Sequence, residues 1–438
     1  MKKLLFFLIL FVSKSIVAQY NLPVFTVVNN DTADIVKGYF LLIAEDHLMI
    51  LDKGSNIVFY KKGFHDFSFT LEKNKKMVFT TFGCSYVMDS TFAVIDSFKT
   101  KNNIKYDGHD RLILPNGNLL LMGMEIDSID LKDYPEFKKK WKSDSAFLPN
   151  LIIQEQDNQR NAVFEWYSKD HFTLNDVDSF YPKAGLTHSN AFELDEDGNL
   201  LLSSRNLNEI TKINLKDGSI MWRLGGKHNE FKFVNCPVPF YGQHDIRRLA
   251  NGHFTFLDNG YNSTSHGARA MEFELDEVNK TATLIWSYTY DKDMYSTGRG
   301  NVQRLADGNT LIDFGMEICG DLAFVIVNPK GKLLLQVNGP TAYRVMNYPA
   351  LPFKLHRPVI TCFDSASVKY LDAGTGYKSY KWSTGDTTRI IKVEKAGTYS
   401  VFVPYGTGGY ISSEKIILSD VTLPCSKKPA FNRNKKTQ

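Results

Sequence analysis

From about residue 109 to residue 312 one pattern of apolar and polar positions recurs: a short apolar run, a polar turn containing Asn-Gly or Asp-Gly, and a second apolar run. Leu112 and Leu114 precede Asn116-Gly117 and then Leu119, Leu120, Leu121 and Met122. Phe192 and Leu194 precede Asp197-Gly198 and Leu200, Leu201, Leu202; Val302 and Leu305 precede Asp307-Gly308 and Thr310, Leu311, Ile312. Period-two spacing around glycine-containing turns predicts β-hairpins. In the copy at 240–260, Asn251-Gly252 predicts a two-residue hairpin loop followed by a strand from Phe254 to Leu257.

Each hairpin is followed by two more predicted strands. In the unit from His188 these are 209–214 and 219–222; in the units from His244 and Gly300 the third strands are 271–275 and 323–327 and the fourth 282–286 and 333–337. Unit starts at 188, 244 and 300 lie 56 residues apart, and counting back to residue 38, with strands at 38–43, 47–52 and 56–60 in the first unit, gives six groups of about four strands. Repeated four-stranded sheets predict a β-propeller. A pair of β-sandwiches is the alternative, although sandwiches would not repeat a hairpin with one polar residue type at its start. An insertion at 127–145, with Tyr134, Phe137 and Trp141, reads as a partly helical excursion. Pro349, Pro352 and Pro358 mark 346–358 as a linker. The expected fold is therefore all-β: a six-bladed β-propeller over 19–345, then a small immunoglobulin-like β-sandwich around Trp382 over 359–425, and a basic, disordered end at 426–438.

Composition fits a large β core, with 43% hydrophobic and 13% aromatic residues. The formal net charge of +4 is matched by Lys427, Lys428, Arg433, Lys435 and Lys436 in the tail, so no nucleic-acid surface is expected. Residues 1–18 read as an export signal, with Lys2 and Lys3 before an apolar run at 4–12 and Val17-Ala18 before Gln19. The run is too short to span a bilayer, so the mature chain is expected to be periplasmic or extracellular, without a transmembrane segment. Of five cysteines, Cys362 and Cys425 bracket the last domain and form the one proposed disulfide; two unrelated buried thiols are the alternative.

In a propeller the innermost strands line a common channel, so residues at equivalent ends of those strands meet at one mouth. His109, His188 and His244 stand at the starts of predicted inner strands, and Arg205 ends the strand that returns from the His188 hairpin. His188 lies two residues earlier than the other two relative to its turn, which keeps it on the same strand face. Three imidazoles and a guanidinium suit a small tetrahedral anion, and imidazole also serves as nucleophile or as acid and base. A three-histidine metal site is the chemical alternative, although Arg205 would repel a cation and no local His-x-His spacing concentrates ligands. Packing of each histidine against its own hairpin is the bland one. His65-Asp66 repeats the His-Asp pair of 109–110, and Arg299 and Asn301 stand at the matching rim of the sixth unit, to contact substrate or to build a turn. Asp245 is expected on the opposite strand face from His244. Asp195, Asp197 and Asn199 superficially resemble a calcium loop but read as a hairpin turn.

Taken together and in order, His109-Asp110-Arg111 with Asn116-Gly117, His188-Ser189-Asn190 with Asp197-Gly198-Asn199 and Ser203-Ser204-Arg205, Trp222-Arg223-Leu224-Gly225-Gly226, Gln243-His244 through Asp258-Asn259-Gly260, and Asn301-Val302-Gln303-Arg304 resemble the bacterial arylsulfotransferase family. The resemblance covers about 36–340. It implies a six-bladed propeller, and transfer of a sulfuryl group from an aryl sulfate to a phenol without a nucleotide donor or other cofactor. It puts the covalently sulfated histidine at His244 and the supporting residues at His109, His188 and Arg205. Arg205 and His188 would hold the sulfuryl oxygens, and His109 would serve the leaving and incoming oxygens. The separate N-terminal sandwich of better-known members has no counterpart here, and Cys236 has no near partner for the disulfide that some relatives carry. A binding protein without chemistry and a metal-dependent hydrolase remain the other readings.

Overall fold

The computed structural model describes residues 22–30, 37–64, 67–72, 74–177, 185–261, 263, 266–316, 320–366 and 368–420. The segment predicted to direct export, the basic end, His65, Asp66, Cys319 and Cys425 lie outside the described residues. Among the described residues strands dominate, with short 3-10 turns and one helix, Pro135–Trp141, inside the predicted insertion. The chain packs as two units, Phe25–Asn56 with Lys62–Pro352, and Met1–Val24 with Ile57–Lys61 and Phe353–Gln438.

The larger unit is a succession of antiparallel sheets in chain order. The second joins Phe69–Leu71, Met77–Thr80, Ser85–Met88 and Val94–Phe98; the third joins Lys105–Ile113, Leu119–Asp130, Ser145–Gln156 and Ala162–Tyr167. The fourth joins Ser189–Leu194, Leu200–Ser204, Glu209–Ile213 and Ile220–Gly225. In the fifth, His244–Arg248, Phe254–Asp258, Arg269–Asp276 and Thr281–Thr289 gain a parallel edge strand, Lys232–Val234. The sixth, Asn301–Arg304, Thr310–Asp313, Leu322–Val327 and Leu333–Asn338, takes the early strand Thr26–Asn30 on its outer edge.

The first sheet departs from its predicted composition. Tyr39–Ala44 pairs with His47–Asp52 on one side and on the other with Met346–Tyr348, which lies inside the predicted linker. Ile57–Lys62 is a strand, as predicted, and pairs with Gly409–Ser412, Phe59 facing Ile411 and Tyr60 facing Tyr410. Apolar alternation specifies a strand but not its partner, so neither added pairing could be read from the sequence pattern.

The repeated turns also differ from prediction. Leu249 and His253 close the hairpin through Leu249 N–H to His253 O at 2.8 Å, and Gly252 N–H donates to Leu249 O at 3.0 Å. Three residues therefore form the loop, with Gly252 at φ +89° and Asn251 absent from the left-handed region. A two-residue type I′ loop needs positive φ at both central residues, whereas a type I turn closed by a left-handed glycine needs it at one. The same bonds recur at Leu114 and Gly117, Asp195 and Gly198, and Leu305 and Gly308.

The faces between neighbouring sheets are apolar and closely packed. Between the fourth and fifth sheets, Ala191, Leu201, Trp222, Phe254, Phe256 and Phe273 belong to one cluster. Phe256 and Phe273 are wholly buried and stack with centroids 5.6 Å apart. Removing such a ring loses its transfer free energy and leaves a cavity. The smaller unit has its own centre at Trp382, wholly buried, whose indole N–H donates to Thr388 O at 2.7 Å. Around it lie a sheet of Thr361–Ser365, Val368–Asp372 and Ile390–Val393, a ladder of Lys381–Trp382, Val401–Tyr405, Gly409–Ser412 and Ile57–Lys62, and the pair Gly397–Tyr399 with Ile416–Leu418. Cys362 is disulfide-bonded.

Phe256→Ala is expected to destabilise the larger unit by about 3–5 kcal/mol in urea unfolding. A loss below about 1 kcal/mol would contradict its place between the sheets.

Candidate active site

The site forms where the first strands of the third, fourth and fifth sheets lose regular register. In the fifth, His244 faces Leu257 and Arg247 faces Thr255, so Asp245 and Ile246 together oppose one residue. In the fourth, Ser189 faces Ser204 while Ala191 faces Ser203, leaving Asn190 extra. In the third, Tyr106 faces Gly123 and Arg111 faces Leu121, so 107–110 bulge opposite Met122. A β-bulge re-aims the side chains at its ends. Here the bulges turn His109, His188 and His244 into one cavity of about 360 Å³, which Arg205 and Arg299 also line. The corresponding strand of the sixth sheet, Asn301–Arg304, keeps unbroken register. Its Asn301 does not line the cavity. It clamps Val345 instead, accepting from its N–H at 2.8 Å and donating to its carbonyl at 3.0 Å.

Backbone conformation carries the same mark. His188, Asp245 and Arg299 lie at φ 45°, 63° and 65°, a region uncommon for residues with a Cβ. Such residues persist where the surroundings over-determine them, and they concentrate at functional sites.

His244 is nearly buried, and its hydrogen bonds fix its tautomer. Nδ1 lies 2.9 Å from Gly242 O and 2.8 Å from Asn259 Oδ1. Both are acceptors, so Nδ1 carries the proton and the lone pair resides on Nε2. Nε2 lies close to Gly298, on the cavity wall. Burial, and next the charge of Arg205, depress the His244 pKa to about 3, so the ring is neutral near pH 7. Burial likewise holds His188 well below the usual histidine range, reinforced by His109, Arg205 and His244. Its Nδ1 is buried with no hydrogen-bond partner.

Arg205 begins a short 3-10 turn, Arg205–Leu207, and its N–H donates to His188 O at 3.2 Å. Its guanidinium donates to Thr297 O at 2.9 Å and to Asn206 Oδ1 at 3.2 Å, and lies over the Tyr261 ring at 4.9 Å. His109 has its Nδ1 against the Asp107 carboxylate. With Nδ1–H directed at Asp107, Nε2 is the nitrogen that can exchange a proton with a ligand. Its ring lies 5.5 Å from that of His188 and 5.2 Å from that of Phe67. Phe67, Tyr343 and half-exposed Phe82 complete an aromatic wall, with Phe67 to Tyr343 at 5.3 Å and Phe67 to Phe82 at 4.8 Å.

The four principal residues drawn from the sequence, His109, His188, Arg205 and His244, thus line one cavity, joined by Arg299. His65 lies outside the described residues, and Asn301 is structural. Asp245 turns away from His244 toward Arg247 and Arg344, 2.7 Å from each. Sequence reasoning missed Asp107, although it stands two residues before His109 on the same strand face. Tyr343, Phe67 and Arg344 carry no local signal, because the repeat pattern does not distinguish them. Among the described residues no group of three or more His, Cys, Asp or Glu is arranged to hold a metal ion. No helix among them is long and apolar enough to cross a membrane.

Bulged sheets thus gather three histidines and two arginines beside an aromatic wall in an all-β protein. The family model described as Arylsulfotransferase (ASST) matches residues 25–325. The chain belongs to that family, which gives it an aryl sulfotransferase function in general terms. No curated protein matches it. Similar solved structures include a protein of unknown function from Bacteroides caccae, at 12% identity, covering 70% of this chain and 98% of that one with a TM-score of 0.45. Another is virginiamycin B lyase from Staphylococcus aureus, at 10% identity, covering 89% of this chain and 99% of that one with a TM-score of 0.33. Likenesses this remote carry no activity over to this chain.

The depressed His244 pKa has a stability consequence. The unfolded histidine titrates near 6.5 and the folded one near 3, so the unfolded state binds the extra proton as pH falls between them. This contribution is complete above about pH 6.5 and is lost on acidification toward pH 3. His244→Gln is expected to lose less stability than the wild type between pH 7 and about pH 4.5, measured by urea midpoints. Equal losses would contradict a buried neutral imidazole.

Proposed function

We propose that this chain is an exported arylsulfate sulfotransferase that moves a sulfuryl group from an aryl sulfate to a phenol through an N-sulfohistidine at His244, with no nucleotide donor. The observation that carries the reading is the His244 ring itself: neutral, its Nδ1–H donated to two acceptors, with its Nε2 lone pair at a cavity shared with Arg205 and His188. A neutral imidazole with a defined lone pair is an activated nucleophile.

In the first step the Nε2 lone pair forms the N–S bond while the S–O bond to the aryl group breaks. The bonding electrons leave on the phenolate oxygen, which takes a proton from His109 Nε2. Once that phenol departs, an acceptor phenol gives its proton back to His109. Its oxygen forms the new S–O bond, and the N–S electron pair returns to Nε2. Arg205 and His188 hold the sulfuryl oxygens as charge redistributes, and Phe67, Phe82 and Tyr343 hold the ring.

In the same reading the six sheets are blades of a propeller, with Thr26–Asn30 and Met346–Tyr348 closing the ring, and the smaller unit is an immunoglobulin-like module used for spacing or attachment. Residues 1–18 direct export; a mature N-terminus at Gln19 supports this, and a retained Met1 contradicts it.

With 4-nitrophenyl sulfate and phenol the wild type is expected to release nitrophenol, and His244→Ala to abolish release. Arg205→Ala is expected to lower kcat roughly 10²- to 10³-fold, the effect of losing one preorganised oxyanion donor. No turnover with this or other donor and acceptor pairs would leave a non-catalytic anion-binding protein. Activity that follows stoichiometric zinc or manganese would favour the metal-dependent hydrolase.

A further inference from the structure

We infer that Asn259 is a positioning residue for His244: its amide fixes the tautomer of the nucleophile and ties that choice to the 296–299 loop that lines the cavity. The inference rests on the transfer reading above and deepens it.

Hydrogen-bond polarity makes the assignment unambiguous. Ser296 Oγ donates its single proton to Gly298 O at 2.9 Å, so toward Asn259 it can act only as acceptor. It accepts from Asn259 Nδ2 at 3.0 Å, and Nδ2 also donates to Arg299 O at 3.0 Å. Both amide protons are thereby used on acceptors that cannot be exchanged for donors. The amide cannot be flipped, and Oδ1 must face His244 Nδ1, 2.8 Å away. His244, Asn259 and Ser296 are buried, which limits competition from water for the bonds between them.

The arrangement does more in the intermediate than in the resting state. When Nε2 bonds to sulfur, the ring retains its Nδ1 proton and gains positive charge, and a bond between a charged donor and an amide oxygen strengthens. Gly242 O is the second acceptor, at 2.9 Å. A neutral amide supports this charge without removing the proton, which keeps the sulfuryl group on a good leaving nitrogen. The charged and titratable groups acting on His244 are Arg205, His109 and His188. Asp245, next in sequence, is committed to Arg247 and Arg344. A carboxylate at 259 would therefore bring a negative charge directly to Nδ1 and favour the protonated, non-nucleophilic ring.

The test is a rapid-mixing measurement of the nitrophenolate burst from 4-nitrophenyl sulfate without acceptor. Asn259→Leu is expected to keep a burst of one equivalent per site while slowing it roughly 10- to 100-fold, as loss of a hydrogen bond to a charged group predicts. Asn259→Asp keeps an acceptor and is expected to recover the burst rate in alkaline buffer, with a new acid limb displaced toward higher pH. A merely structural role would not move that limb. A wild-type rate in Asn259→Leu, or an unchanged pH profile in Asn259→Asp, overturns the inference while leaving sulfuryl transfer standing. Should Asn259→Leu not fold, the Asn259→Asp profile decides alone. Absence of any wild-type burst overturns the transfer reading and this inference with it.

Discussion

Asp110, Asp245, Arg247 and Arg344 meet in a buried set of ion pairs, and the residues next to two of them are His109 and His244. Arg247 lies 3.0 Å from Asp110 and 2.7 Å from Asp245; Arg344 lies 3.3 Å and 2.7 Å from the same two. The Arg344 Nε contact with Asp245 is an ion pair rather than a hydrogen bond, since neither atom has a hydrogen-bond partner. Arg344 also donates to the carbonyls of His109 and Asn190, each at 3.1 Å. Four charges therefore connect the third, fourth and fifth sheets with the segment that carries Tyr343. Burial pushes the Asp110 carboxyl up, but Arg247 and then Arg344 outweigh it and hold the group below the usual carboxylate range. A buried pair of this kind is weak evidence for net stability, because desolvation offsets attraction. Removing one partner, however, strands a charge at a cost of about 3–5 kcal/mol. The network is better understood as setting register: it holds the bulged backbone that aims the histidines.

The same burial gives the cavity its chemistry. Solvent exclusion keeps His244 and His188 uncharged; in the proposed reading this leaves the nitrogen of His244 nucleophilic and lets His188 donate to an anion as a neutral ring. Arg205 remains charged and provides the field. Had the imidazoles been exposed, they would share protons with water and the cavity would be a simple cationic patch. Desolvation lowers the pKa values, Asn259 and Gly242 choose the tautomer, and the bulges set direction; each acts on the same few atoms.

Much of this was legible in the sequence. Four hairpins with glycine turns could be read because period two and left-handed glycine are local properties. The three histidines and Arg205 could be read because they recur at one place in the repeat. Asp107 was equally legible, two positions before His109, and needed only the same face argument. What was hidden is non-local. Asp110 and Arg344 are 234 residues apart, and nothing local in Ile57–Lys62 announces its pairing with Gly409–Ser412. Met346–Tyr348 is too short and too close to proline to announce itself as a strand. The bulges were invisible for a related reason: register is settled by the partner strand, and a residue inserted into one strand leaves its apolar pattern nearly unchanged.

The central claim is that the sulfuryl group passes through Nε2 of His244, and site-resolved mass spectrometry tests it most directly. The protein is mixed with an aryl sulfate in the absence of acceptor, digested under non-acidic conditions, and its histidine-containing peptides are sequenced. A sulfuryl group on His244, discharged when phenol is added, is the predicted result. Aryl release with the group on another residue, or with none bound at any stage, would contradict it.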